Sequence, residues 1–282
     1  MTYIGAHIAR EKTLLDTLNQ IKINKGNALQ IFVSNPRSTK ISTNTSFIKE
    51  PNEIKNYLLN NNFSLVIHSP YTINIAAKLE SDKRTLDISD SYLTKLLIHE
   101  LIVADSIGAI GCIIHCGKFT NQTKEEGLIN MKNILNYIIN QIIKLKLNSK
   151  IILETSCGQG TELLANYNDF LNFYNSFTKE QKQYFKLCID TCHVWSAGYE
   201  LNEIYEITKK NNNLNDIAVI HVNNSKTPKN SKLDRHEYLE DGYIKLDNIL
   251  EFIKNIKKYN TKITLILEKP TNNYNKEFNI IK

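Results

Sequence analysis

A chain of 282 residues with 41% apolar side chains is long enough for one large domain with a sizeable core. No run of about 18 uncharged apolar residues occurs, which excludes a membrane-spanning helix. The net charge of +6 favours an anionic partner, but only four of the 35 basic residues are arginine (Arg10, Arg37, Arg84, Arg235), and the surplus of Lys, Asn and Ile reads as coding bias.

In chain order, Ile/Val/Leu-rich runs recur at YIGAHI (3–8), ALQIFVS (28–34), SLVIHSP (64–70), CIIHCG (112–117), KIILETS (150–156), KLCIDTCH (186–193), DIAVIHVNN (216–224) and ITLILEKP (263–270). Helical spacing appears between them at 10–23, 87–108, 125–146, 162–177 and 245–259. Strands apolar on both faces that alternate with helices predict parallel βα units. Eight of them predict an α/β fold, a (β/α)8 TIM barrel, as a single domain over 1–282. The Asn-rich 211–215 reads as a polar turn, and 223–243 as a long irregular loop after strand 7, where barrel active sites are built. The N-terminus lacks the pattern of a leader. Five cysteines, 112, 116, 157, 188 and 192, lie in or beside strands with no C-x-x-C pair, so we expect buried thiols in a reducing, intracellular compartment.

Six of the strand runs end in an ionisable group: His68, His115, Glu154, Asp190 with His193, His221 and Glu268. Asp234 and His236 join them from the loop after strand 7. Imidazole and carboxylate are preferred ligands of zinc and similar ions, and buried ionisable groups are costly unless paired or bound to metal. A lone strand-end histidine is more often a hydrogen-bonded structural residue. Nine such residues converging on the mouth of one barrel argue for a metal site. His7, at the end of strand 1, is open to a supporting, a ligand-facing or a purely structural role, and His99 reads as a surface or packing residue.

The segments YIGAH (3–7), GCIIHCG (111–117), ILETSCGQG (152–160), CIDTCHVWSAGYE (188–200), HVNNSK (221–226), LDRHEYLEDG (233–242) and LILEKP (265–270) resemble the endonuclease IV family of apurinic/apyrimidinic endonucleases almost end to end. The resemblance implies three zinc-type ions, with manganese possible at one position. It implies that His68, His115 and Glu154 hold the first, and that Glu154, Asp190, His221 and Glu268 hold the second. The third falls to His193, Asp234 and His236. Glu154 and Glu268 are then the catalytic carboxylates. The implied substrate is duplex DNA with an abasic site, cut 5′ to the lesion to leave a 3′-hydroxyl and a 5′-deoxyribose phosphate. Arg37 and Tyr71 match the residues that family members push into the duplex, and Lys226, Lys229, Lys232 and Arg235 are candidate phosphate contacts. Departures from the family pattern are Thr72 for a leucine, Glu240 for a glycine, Cys116 for a proline, Ser156 and Cys157 for small residues, and Asn224 for an aspartate. Trp195 and Tyr199 are expected to pack beneath the third set. A monomer is the default expectation.

The chemistry fits this residue set. Ions at such a site lower the pKa of water and stabilise a leaving oxygen. Four carboxylates with a single divalent ion would carry about two negative charges and repel DNA, whereas three ions and a hydroxide leave the cluster at about one positive charge. Flipping out an abasic nucleotide is cheaper than flipping an intact one. Two other readings compete: a sugar isomerase or epimerase of the xylose-isomerase-like barrels, and a DNA-binding barrel without catalysis. The third ligand set, with Arg37 and Tyr71, separates the first reading from the isomerase.

Overall fold

The computed structural model describes residues 2–41, 48–81 and 84–282. Eight parallel strands close into a barrel. They are β1 (Tyr3–His7), β2 (Ala28–Phe32), β3 (Ser64–His68), β4 (Gly111–His115), β5 (Lys150–Glu154), β6 (Phe185–Asp190), β7 (Ile217–His221) and β8 (Thr264–Leu267). The order around the barrel follows the chain, and β8 pairs with β1 through Ile266 opposite Gly5. Both expected faces of each strand are buried. One packs outward against the helices and the other fills the barrel, where Ala28, Val66, Ile113, Ile152, Cys188, Val219 and Ile266 form a separate cluster, one from each of β2 to β8. On β1 the register puts Gly5 at this level. A Cβ there would lie 1.6 Å from the carbonyl oxygen of Ala28, so the close approach of β1 and β2 requires glycine.

Side chains alternate along a strand, so the residue two positions on points the same way. Two positions beyond the apolar cluster and Gly5 stand His7, Gln30, His68, His115, Glu154, Asp190, His221 and Glu268. One apolar interior ring is thus capped by one polar ring at the C-terminal mouth. Strand stagger makes the polar ring a staircase, with His7 level with Gln30, His115 with Glu154, and Asp190 with His221.

Nine helices lie among the described residues: α1 (Leu14–Ile23), α2 (Pro51–Asn60), α3 (Tyr92–Ile107), α4 (Lys124–Leu145), α5 (Tyr167–Asn175), α6 (Thr191–Ala197), α7 (Leu201–Lys210), α8 (Leu246–Lys257) and α9 (Tyr274–Ile281). Four of the five expected helices are shorter than read, two of them by six or more residues. The helix over 87–108 starts at Tyr92 because Ser91 caps it, its hydroxyl accepting from Leu93 N, and that over 162–177 starts after the Asn166 cap. The strand expected to run to 193 stops at Asp190, whose carboxylate accepts the His193 N–H at 2.9 Å and begins α6. The loop after β7 is not wholly irregular: Asn224–Ser225 pairs with His236–Glu237 as an antiparallel ribbon. No helix among the described residues is long and apolar enough to cross a membrane. The five cysteines are free and buried.

Candidate metal centre

The staircase, α6 and the loop after β7 together bring the nine expected ionisable groups to one mouth. His68 Nδ1 stands 2.8 Å from the carbonyl oxygen of Ser69. A carbonyl only accepts, so that nitrogen carries the proton and Nε2 offers its lone pair to the barrel mouth. There it lies 3.2 Å from His115 Nε2 and 3.4 Å from Glu154 Oε2, and His115 Nε2 is 3.2 Å from the same oxygen. Glu154 Oε2 is buried without a hydrogen-bond partner. Ligands about 2.0–2.1 Å from a tetrahedral zinc ion stand about 3.3–3.4 Å from one another. Three inward-facing donors at this spacing, one an orphaned carboxylate oxygen, fit such an ion.

A second group shares Glu154. Its Oε1 is 2.8 Å from His221 Nδ1, which also faces Glu268 Oε2 at 3.3 Å and Asp190 Oδ2 at 3.7 Å. These four residues can surround one ion. Buried Cys188 lies against Glu154 and His221 from the apolar ring below.

The third group combines α6 and the ribbon loop. His193 Nδ1 donates to Thr155 O at 2.8 Å, leaving Nε2 toward Asp234 Oδ2 at 3.3 Å. Asp234 Oδ1 is 3.1 Å from His236 Nε2, which also faces Asp190 Oδ2 at 3.5 Å. His193 Nε2 is a second buried atom without a hydrogen-bond partner. Cys192 adds a thiol beside Asp234 and His236. Asp234 is held from below: Gln159 Oε1 accepts its N–H at 3.2 Å, and the turn carrying Gln159 closes on Glu162, whose Oε2 accepts from Gly158 N at 3.1 Å and Gln159 N at 3.0 Å. Gly158 adopts φ +85°, open to glycine at little cost.

Burial works against charge in the cup, and at Glu154, His193, His221, Asp234, His236 and Glu268 the neighbouring charges win. Asp190 and Asp234 hold His193 well above the ordinary imidazole range, and Asp190 does the same for His236. His193 holds Asp234 below the carboxylate range, and His221 does so for Glu154 and Glu268. His7 and His115 depart the other way: burial pushes both down, so they stay neutral.

The family described as "Xylose isomerase-like TIM barrel" matches residues 25–282. A Mycoplasma capricolum subsp. capricolum protein named "Probable endonuclease 4" is 31% identical over 274 residues, spanning 95% of this chain and 90% of that protein. The chain belongs to the endonuclease IV family. The solved endonuclease IV of Thermus thermophilus superposes with a TM-score of 0.77 at 19% identity, covering 99% of this chain and 97% of that one. A D-tagatose 3-epimerase-like protein superposes at 0.71 with 16% identity, covering 99% and 95%, so the barrel alone does not separate nucleases from sugar enzymes.

In this endonuclease IV chain the remaining predicted residues divide in two. Tyr71 is 62% exposed and stands edge-on over Phe32, His68 and His115, with ring centroids 5.2, 5.7 and 5.9 Å away. Its N–H donates to Pro36 O, and Thr72 Oγ1 donates to Ser38 O at 2.8 Å, so exposed Arg37 sits on a loop tied to the Tyr71 loop. Lys226 N donates to Arg235 O, which sets those two exposed side chains next to each other on the ribbon. Lys229 and Lys232 instead fold back, with Nζ bonded to Glu200 and to Ala197 O, each at 2.6 Å.

Among the departures, Asn224 lies away from the ligands. It clasps the two ends of the loop, donating to Leu239 O and Ile244 O and accepting from Ser225 N and Ile244 N, so it sets loop shape and no bond at the cup. Glu240 pairs with Lys276. Cys116 donates its thiol to Glu154 O at 3.2 Å. Ser156 Oγ and Cys157 Sγ both donate to Glu162, so they hold the turn beneath Asp234. Trp195 holds the start of the ligand loop through Nε1 to Thr227 O, whereas Tyr199 Oη accepts from Tyr167 N at the start of α5.

Two residues whose side chains bond the side chains of these groups escaped the sequence. Gln30 bonds His221 and Glu268, and Asn223 Nδ2 donates to Asp190 Oδ2 at 2.8 Å and Glu268 Oε2 at 3.1 Å. The usable signal for Gln30 was its place two residues after Ala28, the spacing shared by every strand-end ligand.

Proposed function

We propose that the chain is a metal-dependent DNA-repair endonuclease that hydrolyses the phosphodiester 5′ to an abasic site in duplex DNA, leaving a 3′-hydroxyl and a 5′-deoxyribose phosphate. The observation that carries the reading is the three ligand groups joined through Glu154 and Asp190, of which the third lies outside the barrel strands. The residue types fit three zinc-type ions, with His68, His115 and Glu154 on the first, Glu154, Asp190, His221 and Glu268 on the second, and His193, Asp234 and His236 on the third. Ions held there would supply an activated water and a counter-charge to the phosphate and the leaving oxygen. The chain's part is to orient them: Ser69 O and Thr155 O fix the rings of His68 and His193, and Asn223 spans Asp190 and Glu268.

Tyr71, over the first ligand group, and Arg37, on the loop tied to it, would enter a duplex where a base is missing. Lys226 is the phosphate contact we favour, because Lys229 and Lys232 spend their ammonium groups on the chain itself; Arg235 spends Nη1 on Asp234 O and has the rest of its guanidinium for a phosphate. Incubation of zinc-loaded protein with a duplex carrying one abasic analogue should give a single nick 5′ to the lesion with a 3′-hydroxyl end. Absence of a nick, with turnover of a keto sugar, sinks the reading. Tyr71→Ala is expected to weaken binding to the lesion duplex about tenfold, since a stacked aromatic contributes about 1–3 kcal/mol. Bound zinc, counted by metal analysis, should stay unchanged. A drop in metal content with lesion binding intact would place Tyr71 in the metal support and not in the wedge.

A further inference from the structure

Seven of the eight members of the polar ring are histidines or carboxylates, and the eighth is the neutral amide of Gln30. It is fully buried in the barrel, on a strand whose neighbouring positions Leu29 and Ile31 are fully buried too. An amide in such a place costs about 1–3 kcal/mol unless it is bonded. Gln30 is bonded at every side. Its Nε2 lies 2.8 Å from Glu268 Oε1 and 3.0 Å from His7 Nδ1, and its Oε1 lies 2.8 Å from His221 Nε2.

The orientation of the amide follows from its partners. The Glu268 carboxylate only accepts, so the NH2 end of Gln30 must face it. The carbonyl end therefore faces His221, and His221 must donate from Nε2. The remaining nitrogen, Nδ1, is the atom that faces Glu154 Oε1, Glu268 Oε2 and Asp190 Oδ2. The same amide occupies Glu268 Oε1 and leaves Oε2 on the side of His221. Its second N–H takes the lone pair of neutral His7.

We propose that Gln30 is a positioning residue of the second ligand group. It selects the His221 tautomer and the Glu268 oxygen that face an ion, and so presets the affinity of that group. This inference rests on the reading of the cup as a metal centre and is independent of which substrate the cup serves. Ligating histidines generally donate their other N–H to a fixed partner, and loss of such a partner lowers metal affinity about 10–100-fold. Gln30 extends that role to a histidine and a carboxylate at once.

The test uses the full chain and zinc alone. In zinc-loaded protein with 15N-labelled histidine, nuclear magnetic resonance should show His221 protonated at Nε2 and bare at Nδ1. The opposite tautomer overturns the proposal, and this measurement needs no variant. Gln30→Met keeps the length and removes both bonding functions. Competition with a chromogenic chelator should then show one class of bound zinc weakened about 10–100-fold. The class held by His68, His115 and Glu154 should be unchanged. Gln30→Glu keeps an acceptor for His221 but sets a carboxylate against Glu268, so it should keep the tautomer and still weaken the same ion. Zinc affinities equal to the parent chain in both variants overturn the proposal. If these results hold and abasic DNA is not nicked, only the substrate reading falls. If the parent chain binds no zinc, both fall together.

Discussion

Glu154→Gln is expected to lower cleavage of an abasic duplex by at least about 1,000-fold, about 4 kcal/mol of barrier, the scale of the charge stabilisation that bound ions provide. Glu154 is the carboxylate that joins the first ligand group to the second, as Asp190 joins the second to the third. Glu154 Oε2 faces His68 and His115 at 3.4 and 3.2 Å, and its Oε1 faces His221 at 2.8 Å. An amide keeps the shape but offers one neutral oxygen where two anionic ones are needed. It would also turn an NH2 toward either the two histidines or His221. The proposed DNA contacts, Tyr71, Arg37, Lys226 and Arg235, lie on other loops, so a gel-shift of the lesion duplex should survive while the nick disappears. Cleavage at the parent rate would contradict the shared role.

The second large effect is on pH. In the metal-free protein His193, His221 and His236 sit above the ordinary imidazole range, where burial opposes their charge and their neighbours sustain it: carboxylates for His193 and His236, and Cys188 with Glu268 and Glu154 for His221. Each therefore holds a proton at pH 7 that an incoming ion must displace. Below these raised values, the overall affinity for a full set of ions should rise with pH by up to about 1,000-fold per unit, tenfold for each of three protons. Metal-free stability should run the other way. A histidine whose folded pKa lies above its unfolded value of about 6.5 stabilises fully below that value. The contribution is lost as pH climbs through the folded pKa. Zinc titration calorimetry in buffers of different ionisation enthalpy counts the released protons directly. A count near zero at pH 7 would refute the charge state assigned to the cup.

The barrel and most of the ionisable groups gathered at its mouth were legible because the chain repeats one local rule: an apolar residue that fills the interior, then two positions later a group that faces the mouth. Val66 and His68, Ile113 and His115, and Ile152 and Glu154 follow it openly. Gln30 follows it too, but in ALQIFVS a lone amide looks like noise inside an apolar run. His7 was left undecided because Gly5 puts no side chain into the interior to announce the phase. The strand-6 segment was read too long, since CIDTCH is apolar enough to pass for strand until the Asp190 side chain is seen capping α6. Helices α2, α7 and α9 were not read, because their few apolar residues sit among Lys, Asn and Glu and leave no clear stripe. The bonds of Asn223 to Asp190 and Glu268 join positions 33 and 45 residues apart, and no local pattern carries them.

The pairing of β8 with β1 has a consequence for how the protein comes into being. Gln30 and Glu268, bonded to each other, are 238 positions apart. Their meeting requires the last strand to dock against the first. During synthesis, a nascent chain that has not yet released residue 268 can hold His68, His115 and Glu154 on neighbouring strands, but its sheet is still open between β7 and β1. One of the four residues that surround the second position is still missing. Sealing the barrel and completing the cup are therefore the same event, and an unfinished chain is left with a partial set of ligands.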